Sequence, residues 1–148
     1  MKVTYLISIL AIALASCNQS GKQEHHASDA STGDNPNDVL YDQVMDIHDE
    51  IMPQVEDIYQ LKKQLQDKIA ATAEMAADKK QELEQVIAQL DSADRSMMDW
   101  MHTFRPLPDS VDQEKARAYL ESEMEKIKKV KELMNETIER AKELSSKQ

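Results

Sequence analysis

Residues 35–71 read NPNDVLYDQVMDIHDEIMPQVEDIYQLKKQLQDKIAA, and within them Leu40, Val44, Ile47, Ile51, Val55, Ile58, Leu61 or Lys62, Leu65 and Ile69 recur at spacings of three and four. A side chain returns to the same side of an α-helix after about 3.6 residues, so this spacing draws one apolar stripe along a long helix. Its start is written locally. Asn35 can cap, Pro36 suits the first helical position, where no N–H is needed, and Asp38 sets a carboxylate against the positive end of the helix dipole. Pro53 interrupts the pattern: it lacks a donor and its ring opposes the carbonyl of Asp49, so a kink or brief break is expected there.

Two further stripes follow. Leu83, Val86, Leu90, Ala93, Met97, Met101 and Phe104 mark a second helix, stopped by Arg105-Pro106-Leu107-Pro108. Ser110, with Gln113 three residues on, predicts the cap of a third, whose inner face is Leu120, Met124 or Glu123, Ile127, Val130, Met134, Ile138 and Ala141. Lys126, Lys128, Lys129 and Lys131 form a basic middle on this helix, opposite in sign to the acids of the first; such a run is a solvated flank.

The link between the first two helices is open on sequence grounds. Asp78-Lys79-Lys80-Gln81 resembles a capping box, whereas equal helix lengths favour a turn near Ala70-Ala71-Thr72. A third reading has no turn, because the spacing passes weakly through Thr72, Ala76 and Lys79 into Leu83. An unbroken helix from 36 to 104 would be about 100 Å long and could bury its stripe only against a partner. The expected fold is therefore all-α, an antiparallel three-helix bundle with long helices, with an extended coiled-coil oligomer as the alternative.

Upstream the composition changes. Both glycines, Gly21 and Gly33, precede residue 35, and residues 18–35 are polar and without periodicity, a flexible spacer. His25 and His26 fall inside it and read as solvated linker. Before the spacer stand Lys2, an apolar run from Val3 to Leu14, and Leu14-Ala15-Ser16-Cys17. The run is short for a membrane span and has the order of an export signal. The last four residues resemble the lipobox of bacterial lipoproteins. That resemblance implies a mature chain starting at Cys17 with acylated amine and thiol, and with the composition it gives an expected signal peptide over 1–16, a tether over 17–35 and a helical domain over 36–148. Several acyl chains together hold a protein firmly to a membrane. Cys17 is the only cysteine, so the domain must stand without disulfides. Asn18 follows Cys17 in place of the aspartate of the inner-membrane retention signal of such lipoproteins, so the resemblance implies outer-membrane sorting. No early lysine followed by two acids is present, which favours the periplasmic face.

The net charge of −10 argues against nucleic acid and acidic lipid as partners of the body. The expected partners are the membrane, through the lipid, and an envelope protein or a second copy.

Met45, His48 and Met52 share one flank of the first helix, and Met98, Met101 and His102 lie together at the end of the second. A hairpin turning near residue 72 levels Met45 with about residue 99; one turning near 77 levels Met52 with His102. Thioethers suit Cu(I) and imidazole suits copper, zinc and iron, so this set is a candidate soft-metal site, and a non-covalent heme held by one Met and one His is a further option. Packing is the plainer role for methionines at a kink, and no cofactor is the primary expectation. Tyr41, Trp100, Phe104 and Arg105 concentrate at the same end, where they can close the bundle or present a recognition surface. Hydrolase motifs, phosphate loops and paired carboxylates at ligand spacing are absent from the sequence, so no enzymatic activity is expected.

At Ile47-His48-Asp49-Glu50-Ile51-Met52-Pro53 and Met98-Asp99-Trp100-Met101-His102-Thr103-Phe104 the chain resembles small lipoproteins of Bacteroidota that carry the label "viral A-type inclusion protein". The label reflects coiled-coil similarity and implies no activity.

Overall fold

The computed structural model describes residues 35–108 and 110–146. Residues 1–34, which hold the expected signal peptide, the lipobox with Cys17 and the expected tether with His25 and His26 except its last residue Asn35, lie outside the described residues, as do Asp109, Lys147 and Gln148. Four helices follow in order: α1 (Pro36–Ile51), α2 (Gln54–Ala71), α3 (Ala77–Thr103) and α4 (Gln113–Ser146). Helices α1 and α2 join end to end, so the architecture is the expected bundle of three long helices.

Asn35 caps α1 as its sequence foretells, its side chain accepting from the Asn37 N–H at 3.1 Å. The interruption at Pro53 is equally local. Met52 and Pro53 keep right-handed helical backbone angles. The ladder restarts through bonds that span three residues instead of four, Val55 N–H to Met52 O at 3.2 Å and Glu56 N–H to Pro53 O at 3.3 Å. The expected brief break is therefore present, and the chain passes through it without reversing.

The chain does reverse at residues 72–76. Thr72 leaves helical angles (φ −110°, ψ 86°), and Met75 N–H reaches back to Thr72 O at 3.3 Å. This excludes the unbroken helix from 36 to 104 on which the extended coiled coil depended. The reversal begins at Thr72, the last residue of the first proposed turn, and is complete before Asp78, so it overlaps that turn and not the capping-box sequence. Asp78 does not cap α3: that place belongs to Ala76, and the Asp78 carboxylate accepts from Lys79 N–H inside the helix. Ser110 is likewise displaced as a cap. Val111 N–H bonds to Pro108 O, a turn that takes up Ser110, and Asp112 caps α4 instead by accepting from the Glu114 and Lys115 N–H groups at 3.1 and 3.2 Å.

Contacts fix the helix directions. Lys62 Nζ meets Asp91 at 2.7 Å across α2 and α3, and Arg140 meets Glu82 at 3.7 Å across α3 and α4, both in antiparallel register. Asn37 Nδ2 donates to Gln113 O and Oε1 at the start of α1 and α4, Lys131 pairs with Glu50, and Lys68 Nζ donates to Leu144 O near their far end. The helices thus run up, down and up, with the joined α1–α2 parallel to α4.

The buried positions on α3 are Leu83, Val86, Leu90, Ala93, Met97, Trp100 and Phe104, and on α4 they include Leu120, Glu123, Ile127, Val130, Met134, Thr137, Ala141 and Leu144. Both series alternate strictly between three and four residues, the period that keeps a seam facing its neighbours. Two details differ from the expected faces. Trp100, rather than Met101, occupies the seam of α3, and α4 buries Glu123 and Met124 together.

Asn37 is buried and spends both amide hydrogens on Gln113. Asn37→Ala is expected to cost about 1–2 kcal/mol, the net worth of one or two part-buried hydrogen bonds, measured by urea unfolding. A loss below a few tenths would mean that water replaces these bonds without cost.

Candidate functional site

The end of the bundle that starts at Asn35 differs chemically from the rest. Helix α2 packs closely on α3 and α4, while α1 approaches α4 closely and leaves a wider gap towards α3. The break at Pro53 separates these two behaviours. Large side chains fill the gap. Trp100 stacks on Phe104 with centroids 4.9 Å apart, and Phe104 in turn meets Tyr41 at 6.0 Å and Tyr119 at 6.2 Å. Such offset pairs bury much apolar area and add about 0.5–1.5 kcal/mol each beyond it.

His48 lies at the margin of this ladder, its side chain 18% exposed and its ring 5.7 Å from that of Trp100. Nδ1 is 2.8 Å from Asp49 Oδ1, and Nε2 is 3.4 Å from Met101 Sδ. Two of the six candidate metal ligands, one from each helix, are thus brought together. Met45 and Met52 stand one turn before and after His48, half-buried against the core. His102 turns elsewhere: it is exposed, and its Nδ1 lies 2.6 Å from the backbone O of half-buried Met98 on its own helix. Neither candidate hairpin register is realised. The observed one is intermediate, as the turn at 72–76 requires.

Among the four residues expected at a partner surface, Trp100 and Phe104 are buried and Tyr41 is half-buried, while Arg105 is exposed. The Arg105 N–H donates to Tyr119 Oη at 2.8 Å, tying the proline-rich connection to α4. A cleft of about 230 Å³ opens beside it, lined in part by Asn37, Tyr41, Pro106, Leu107 and Leu120.

Two buried polar atoms at this end have no hydrogen-bond partner: Trp100 Nε1 and Glu123 Oε2. They share a level. Phe104 meets Tyr119, so one turn further along antiparallel α3 and α4 Trp100 lies level with Glu123. His48 meets Trp100 here across α1 and α3. The other Glu123 oxygen accepts from Lys126 Nζ at 2.7 Å, a hydrogen bond that, with the carboxylate charge, holds the Lys126 ammonium above its ordinary pKa. Glu123 was legible only as an alternative to Met124, and Tyr119 not at all. The strict three-four alternation from Leu120 to Leu144 is the signal that selects Glu123 for the seam.

Among the described residues no group of three or more His, Cys, Asp or Glu is placed to hold a metal ion, and no helix is long and apolar enough to cross a membrane. Comparison with known proteins adds no relative: no family model matches the chain, and neither curated proteins nor solved structures give a match.

Proposed function

We propose that the chain is a lipid-anchored helical component of the bacterial cell envelope, held on the periplasmic face of the outer membrane, with a structural or protein-binding role. The observation that carries this reading is Leu14-Ala15-Ser16-Cys17 at the end of a short apolar run, followed by a polar spacer. The bundle is consistent with such a task, because its outer surface is charged and its described helices lack a membrane-spanning stretch. Attachment then rests on the acyl chains alone.

Cys17→Ala is expected to move the protein from the membrane to the soluble fraction, or to leave an unprocessed precursor. Mass spectrometry of the mature N-terminus reads this directly. An unacylated N-terminus at another residue, or membrane attachment unchanged in the variant, overturns the reading.

A further inference from the structure

We propose that His48 and Met101 form a binding site for a soft monovalent cation, Cu(I), at the aromatic end of the bundle. The argument begins with the two sides of one imidazole. Nδ1 lies 2.8 Å from the Asp49 carboxylate, which accepts hydrogen bonds only. The neutral ring therefore carries its proton on Nδ1, and the lone pair of Nε2 faces outward. What it faces is Met101 Sδ at 3.4 Å. A thioether has no hydrogen to give, so in the neutral ring two lone-pair donors from different helices confront each other. A cation between them resolves that confrontation. At 3.4 Å the two soft donors are near enough for a small side-chain adjustment to bring both onto one ion.

Donor chemistry selects the ion. Thioether with imidazole favours Cu(I) over zinc, calcium or magnesium, in keeping with the lack of a carboxylate-rich cluster among the described residues. The surroundings suit a single positive charge. The indole of Trp100 lies beside His48, and an aromatic face attracts a cation within about 6 Å. Asp49 acts as the positioning residue, fixing the tautomer and the direction of the ring.

This site is independent of the envelope proposal, because none of its residues depends on Cys17. The test uses the full chain in detergent with Cys17, His25 and His26 changed to alanine, so that neither a thiol nor the spacer imidazoles compete. Ag(I) serves as a redox-inert probe and Cu(I) is repeated anaerobically. Trp100 is the only tryptophan, so its fluorescence reports one place. We expect saturable quenching at one equivalent with a Kd below about 1 µM, weakened at least about tenfold by His48→Gln and by Met101→Leu. Met101→Leu conserves packing, and circular dichroism checks that helicity is kept. The methyl resonance of Met101 in the protein with both ligands intact should shift on the first equivalent, which tests the site without any substitution there. Quenching that survives both substitutions, an unmoved Met101 methyl, or a Kd weaker than about 100 µM overturns the proposal.

Discussion

Leu90→Ala is expected to lower the unfolding free energy by about 2–5 kcal/mol, a large share of the roughly 5–15 kcal/mol available to a domain of this kind. Leu90 is fully buried on α3, the helix that packs on both α2 and α4. Truncation there removes the transfer energy of the lost methyl groups and leaves a cavity that three stiff helices cannot close. Ser92, two residues on and exposed, is the control: Ser92→Ala should change stability by no more than about 0.5 kcal/mol. Urea unfolding followed by circular dichroism measures both, and the midpoint should move with an unchanged slope. A cost under about 1 kcal/mol at Leu90 would show that the seam is loosely packed and that the helices associate by some other means.

The second large effect has the opposite sign. Glu123→Met should stabilise the protein by about 1–3 kcal/mol. Glu123 is 3% exposed and one of its oxygens has no partner, while its salt-bridge partner Lys126 is exposed. An unsatisfied buried oxygen costs about 1–3 kcal/mol, and apolar replacement of a buried charge is often neutral to stabilising. Methionine is flexible and of similar length, so it can occupy the same space, and Lys126 remains hydrated once released. Glu123→Ala separates the chemistry from the volume: it removes the same charge but opens a hole, so it should gain less or lose stability. If Glu123→Met instead costs more than about 1 kcal/mol, the carboxylate has a bound partner that compensates its burial.

The apolar seam was the most legible part of this chain. Spacing alone located three inner faces, because burial along a helix repeats with the helix, and Pro53 announced the break through a missing N–H. The termini were less legible, since caps compete over short distances. Ser110 and Asp112 both offer an acceptor near the start of α4, and the turn closed by Val111 on Pro108 decides for Asp112. Asp78 fails for a similar reason: α3 has already begun before it. The Met and His residues show the limit more sharply. Their flanks could be drawn from spacing, but which of them meet depends on the hairpin register, set by a five-residue turn whose sequence, Thr72-Ala73-Glu74-Met75-Ala76, contains neither glycine nor proline. That register brings His48 to Met101 and leaves His102 to its own helix.

An odd number of passes puts Asn35 and Ser146 at opposite ends of the long axis, with α4 alone measuring about 50 Å. Tension applied between those two residues would act along the helices and draw α1–α2 lengthwise past its parallel neighbour α4. Loaded in shear, the side-chain layers resist together, whereas a peeling load parts them one after another. Asn37 on Gln113, Glu50 on Lys131 and Lys68 on Leu144 cross that sliding boundary. A body tethered at its first helix and gripped at its last is thereby suited to carry a pull from one end to the other.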